Sequence, residues 1–180
     1  KPKLTGGAQV LVWNRSPSGI VQQQSPSLAE IRTKAESGQA VAQALLGAKY
    51  IYGEGVSKDE VEGAKWFHKA AVQGDDGAQY FLGRMYASGQ GVTKDTVAAS
   101  MWFRRAADQG HAEAQFFIGR MYRIGAGVTK DAVTSAMWFR KAADQGFAEA
   151  QLFLGAAYAF GEGVTKDQVE AVKWYRKAAE

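Results

Sequence analysis

Along residues 39–52 the apolar side chains Ala42, Leu46 and Tyr50 fall four positions apart, which lays one stripe along a helix. A second helical stripe follows, with Trp66 four before Ala70 and Phe67 four before Ala71, so that large rings alternate with small alanines. Between the two lies Gly53-Glu54-Gly55-Val56-Ser57-Lys58-Asp59. Gly53 suits the left-handed end of a helix. Ser57 or Asp59 suits the start of the next one, where an acidic side chain also meets the positive end of the helix dipole. The pattern therefore predicts a helix A, a tight turn and a helix B. Gly47 interrupts the stripe of helix A. A glycine there costs about 1 kcal/mol relative to alanine, so close approach of a neighbouring helix is expected to offset it.

The same pattern returns every 36 residues, through Gly38, Gly74, Gly110 and Gly146, through Trp66, Trp102, Trp138 and Trp174, and through Gln43, Gln79, Gln115 and Gln151. Gly47, Gly83, Gly119 and Gly155 keep the same step, as do Tyr50, Tyr86, Tyr122 and Tyr158. One such hairpin cannot bury its own apolar face, whereas stacked copies share a continuous core. The expected units are residues 38–73, 74–109, 110–145 and 146–180. Residues 25–37 read as a capping helix: Ser25 or Ser27 starts it beside Pro26, Ala35 takes the Ala71 position, and Glu30 stands where Trp66 would be. Residues 1–24 break the pattern. Residues 8–13 are β-prone and residues 14–19 turn-like, which predicts an extended arm or a short hairpin.

Ala-x-Ala-Gln-x-x-Leu-Gly-x-x-Tyr, then Gly-x-Gly-Val-x-Lys-Asp, then Ala-x-x-Trp-Phe/Tyr-Arg-Lys-Ala-Ala resembles the Sel-one-like repeat family, a relative of the tetratricopeptide repeat. Residues 148–179 carry the pattern almost whole, with Val172 in place of the first alanine of helix B; the first copy departs most, with Gly63 and His68. The resemblance implies an all-α fold: a right-handed αα-superhelix of four repeats plus an N-terminal capping helix, with helix A lining the concave face. It also implies an adaptor or binding scaffold.

Composition narrows the chemistry. The chain has no cysteine, which excludes disulfides, thiolate catalysis and cysteine-based zinc sites. No apolar run approaches the roughly 20 residues that span a bilayer. The net charge of +4 permits an acidic partner without requiring nucleic acid. Gly53 to Lys58 looks like a phosphate loop, but a Walker loop joins a strand to a helix, whereas this segment joins two helices and occurs four times; it reads as a turn. His68 and His111 have no metal-ligand spacing to other ligands, and both read as surface residues. Asp75 and Asp76 sit where a helix starts, and capping explains them. The repeated tryptophans read as core rather than as a base-stacking set. The pairs His68-Lys69, Arg104-Arg105, Arg140-Lys141 and Arg176-Lys177 read as a solvated outer face. No catalytic, cofactor or metal site is expected.

Positions that vary between copies are open to a partner. By analogy with related repeats, the concave slots of helix A hold Ala44, Tyr80, Phe116 and Leu152; then Ala48, Arg84, Arg120 and Ala156; then Ile51, Ala87, Arg123 and Ala159; with Val41, Gly77, Glu113 and Glu149 one turn earlier. Tyr80, Arg84, Phe116, Arg120, Arg123, Leu152, Glu113 and Glu149 are the expected partner-binding residues. Aromatic and arginine side chains dominate interface energetics, and the arginines point to a protein with an acidic patch. The four methionines are internal and the chain begins at Lys1, which leads to the expectation of a periplasmic or secreted protein, with the cytoplasm as the alternative. Family analogy suggests an immunity protein that neutralises a secreted, type VI phospholipase-like toxin, or else a scaffold in envelope assembly or signalling.

Overall fold

A computed structural model of the chain describes residues 26–180 in full and two strands before them by their backbone, β1 Val12–Arg15 and β2 Val21–Gln24. The strands pair antiparallel, with Val12 opposite Gln24 and Arg15 opposite Val21. Asn14 and Arg15, expected in a turn, lie in β1, because β2 supplies a ladder partner that outweighs the local turn preference of asparagine. The expected β-prone residues 8–11 and turn residues 16–19 lie outside the described residues.

Nine helices follow among the described residues: α1 Leu28–Glu36, α2 Ala40–Tyr52, α3 Glu60–Val72, α4 Asp76–Ser88, α5 Thr96–Asp108, α6 Ala112–Ile124, α7 Ala132–Asp144, α8 Ala148–Phe160 and α9 Gln168–Ala179. Each packs on the helix before and after it in sequence, which is the solenoid arrangement. Helix A of each copy (α2, α4, α6, α8) stops at Gly53, Gly89, Gly125 or Gly161, all left-handed with φ between 73° and 84°. Helix B (α3, α5, α7, α9) starts on Asp59, Asp95, Asp131 or Asp167, whose carboxylate accepts backbone N–H groups of the first turn. The capping helix α1 has its own device: Ser27 accepts the N–H of Glu30, and the Glu30 carboxylate accepts the N–H of Ser27 at 2.8 Å. Glu30 stands at the tryptophan position because it closes this capping box.

The mid-helix glycines of helix A face the rings of helix B. A methyl group on Gly83 would lie 2.8 Å from the Phe103 ring, on Gly119 2.9 Å from Phe139, and on Gly155 2.7 Å from Tyr175. In the first three copies the ring of helix B then meets the next copy: Phe67 stacks on Phe81 with centroids 5.1 Å apart, Phe103 stacks on Phe117 at 5.2 Å, and Phe139 packs against Phe153 at 5.1 Å. The turns are bound as closely. A methyl group on Gly91 would lie 2.1 Å from the carbonyl oxygen of Glu60, and one on Gly127 2.0 Å from that of Thr96. Each turn therefore rests on the start of helix B in the copy before it.

Buried polar groups form a second repeated set. Gln43, Gln79, Gln115 and Gln151 donate to the carbonyls of Ala35, Ala71, Ala107 and Ala143 in the preceding helix B. Gln73, Gln109 and Gln145, at the ends of B helices, donate to Gln43, Gln79 and Gln115 at 2.7 to 2.8 Å. These bonds satisfy side-chain amides that burial would otherwise penalise. The indole N–H groups of Trp66, Trp138 and Trp174 find no acceptor, a cost of about 1–3 kcal/mol each that aromatic packing must exceed.

Gly119→Ala should destabilise the chain by about 1–3 kcal/mol through overpacking against Phe139, despite alanine's better helix propensity. Gly77→Ala, whose new methyl group would meet only the Asp75 Oδ1 at 3.4 Å, should instead stabilise by about 0.5–1 kcal/mol. Urea denaturation of the two variants beside the parent chain checks both signs.

Candidate partner-binding face

Helix A of each copy offers three positions on one side, four residues apart: Ala44, Ala48 and Tyr52; Tyr80, Arg84 and Ser88; Phe116, Arg120 and Ile124; Leu152, Ala156 and Phe160. In the two middle copies the arginine lies over the aromatic ring one turn before it. The Arg84 guanidinium is 5.8 Å from the Tyr80 ring centre, and that of Arg120 is 5.7 Å from Phe116 and 5.9 Å from Phe117. Both arginines are exposed. Neither has a carboxylate partner among the described residues. Their rings hold the long side chains in place without neutralising them.

The rings themselves are less available. Phe116 is only 6% exposed, because Phe147, 31 residues later, covers it at 5.2 Å and Phe153 packs edge-on at 5.4 Å. The expectation that Phe116 meets a partner is therefore corrected: it is a core residue that seats Arg120. Tyr80 is half-buried under the same kind of lid, the His111 ring stacked at 4.7 Å and 24°. Burial pushes its hydroxyl pKa up, against the opposing charge and hydrogen bond of Arg84.

His111 is corrected too. Its side chain is 16% exposed, so it is not an ordinary surface residue. It is the N-cap of α6, with Nδ1 placed 3.4 Å from the Ala114 N–H and 3.2 Å from the Glu113 carboxylate. A neutral Nδ1 serves the cap and a protonated one serves Glu113. The slot holding Gln39, Asp75, His111 and Phe147 is thus the N-cap of every helix A, filled by a different chemistry each time.

Of the remaining expected residues, Arg123 is exposed but occupied: it lies 5.1 Å from the Phe153 ring and 3.6 Å from the Glu162 carboxylate. Glu113 is engaged by His111, while Glu149 and Leu152 are exposed on α8. The sequence reading missed Tyr52, Ile124 and Phe160, which are 63%, 68% and 74% exposed and flank the arginines on the same side. The available signal was an apolar residue directly before the helix-ending glycine.

The basic pairs of helix B are not simply solvated. Lys141 and Arg104 lie 4.2 and 5.1 Å from the Trp138 ring, and Lys177 and Arg140 lie 4.0 and 5.5 Å from that of Trp174. Arg32 and Arg104 donate to the hydroxyls of Tyr50 and Tyr122 at 3.3 and 3.5 Å, and Arg140 donates to that of Tyr158. Each such arginine ties its copy to the next. Among the described residues, no group of three or more histidines and carboxylates could hold a metal, and no helix is long and apolar enough to cross a membrane.

The Sel1 repeat model matches residues 40–75, 77–111, 112–147 and 148–180. The chain belongs to the Sel1 repeat family. Proteins of this family mediate protein–protein interaction and are in general non-catalytic interaction modules. Among solved structures, the chain is similar to c5321, a protective antigen of uropathogenic Escherichia coli strains displaying an SLR fold, with 44% identity, 86% of this chain and 33% of that one covered, and a TM-score of 0.83. It is also similar to a Sel1 repeat protein from Oxalobacter formigenes, with 38% identity, 84% and 60% covered, and a TM-score of 0.78. This chain thus spans a third of the first protein and three-fifths of the second. Cysteine rich protein B of Helicobacter pylori shares the fold at 21% identity, with 71% and 97% covered and a TM-score of 0.54. None of the curated proteins compared matches.

The cap of α4 yields a pH prediction. Burial raises the pKa of Asp75, against the opposing bond from the Ala78 N–H. A carboxyl whose pKa is raised by folding contributes most below its unfolded value and loses that contribution as pH rises through the folded one. Asp75→Asn keeps a capping oxygen and removes the charge. The variant should therefore match the parent below about pH 3.9 and exceed it in stability at pH 7, as read by thermal unfolding at the two pH values.

Proposed function

We propose that the chain binds a protein partner through the side of helix A that carries Arg84 and Arg120, and that the partner presents an acidic patch there. The observation that carries this reading is the pair of arginines, one repeat apart, exposed, without carboxylate partners among the described residues, and each held over a ring. Holding a long cation in place before binding removes part of the entropy cost of ordering it at an interface. Exposed Tyr52, Ile124, Leu152 and Phe160 on the same side add apolar area around the charge. Arg123 and Glu149, both exposed, are assigned to its rim. Within this class, the narrower role is that of an immunity protein acting outside the cytoplasm, for which the partner is a secreted toxin.

The test is capture of the partner from the native source, followed by titration of the purified pair. Arg84→Glu and Arg120→Glu should each weaken binding by about 2 kcal/mol or more, and the affinity should fall steeply with salt. Reversal of Arg176, exposed on helix B of the last copy, should leave it unchanged. A partner that tolerates both arginine reversals binds elsewhere.

A further inference from the structure

Three copies of the position held by His68 carry an arginine, and one does not. Arg104 and Arg140 each reach across to a tyrosine hydroxyl and a tryptophan face of the following copy, and Arg32 of the capping helix reaches Tyr50 in the same way. His68 is too short for this. Its ring meets the edge of Trp102 at 5.8 Å, and the Tyr86 hydroxyl is left without a hydrogen-bond partner among the described residues. The space between α3, α4 and the following turn opens as a cavity of about 420 Å³, within the size range of small-molecule sites.

The walls indicate what would fill it. Leu82 and Ala64, both buried, form an apolar floor, with the half-buried Val92 beside them and the more exposed Val61 at the edge. His68, Lys65, Lys69 and Glu62 stand at the rim. Three further replacements change the surroundings. Lys65 takes a position held by Met101 and Met137 in the next two copies, Glu62 one held by Ala98 and Thr134, and Val72 replaces Asp108 and Asp144. In the second copy that aspartate pairs with the arginine at 3.0 Å. The first copy has thus exchanged an arginine–aspartate pair for the Lys65–Glu62 pair beside an opened apolar slot. Lys65 is held by Glu62 at 3.0 Å, but with its side chain 63% exposed this is the kind of surface pair that exchanges at little cost.

We propose that this cavity binds a small monocarboxylate with an apolar body, its chain on the Leu82 floor and its carboxylate among His68, Tyr86, Lys65 and Lys69. A cation in the arginine's place would face both lysines, and a neutral molecule would accept from the rim donors without charge assistance.

The proposal is tested by calorimetric titration of the full chain with octanoate, octanamide and octylguanidinium. Octanoate should bind one to one, and octanamide roughly tenfold or more weakly, as expected for losing charge-assisted hydrogen bonds. His68→Arg supplies the side chain that the other copies carry. It should abolish octanoate binding while holding or raising the Tm, which separates a filled site from an unfolded one. Tyr86→Phe should weaken binding with the fold intact. Absence of octanoate binding, equal affinity for the amide, tighter binding of the guanidinium, or unchanged binding by the His68→Arg chain would each overturn the proposal.

Discussion

Everything in this array depends on how closely helix B can approach helix A within a copy. The glycine at Gly47, Gly83 or Gly119 removes the one methyl group that would hold the helices apart, and an aromatic ring of helix B fills the space. That ring is then offered to the next copy, where Phe81, Phe117 or Phe153 stacks on or packs against it. A helix penalty taken inside one copy thus becomes a contact between two. The buried glutamines work within this geometry, since their bonds to the carbonyl of the preceding helix B require the same short separation.

Much of this was legible in the sequence because it is local and repeated. The capping aspartates, the left-handed glycines and the two stripes lie within one 36-residue unit and recur in every copy. What escaped was information carried between copies or by direction. Phe116 looked open to a partner because nothing near it in the sequence announces Phe147, which covers it from a slot whose members are glutamine, aspartate, histidine and phenylalanine. The arginines of helix B read as solvated because their tyrosine and tryptophan partners lie in the next copy. Recurrence also does not say which way a residue faces. Val61, Val97, Val133 and Val169 are as regular as the tryptophans, yet all are more than half exposed, since they stand on the first turn of helix B.

The same division explains the candidate face. Its rings are fold and its guanidinium groups are surface, joined within a single turn of helix. Arg84 and Arg120 are oriented by a core that would exist without them. A partner could therefore change the identity of the exposed side chains over time with little effect on the packing beneath.

The turns of the second to fourth copies rest on helix B of the copy before through Gly91, Gly127 or Gly163, so these three joints share one backbone seat at a fixed interval. A chain cut at equivalent points of two copies and rejoined, with one whole unit lost or gained, would present matching surfaces at the new seam. Gene-level slippage in steps of one unit is thus the least disruptive way for such a protein to vary. It lengthens or shortens the binding surface without any new packing problem being solved.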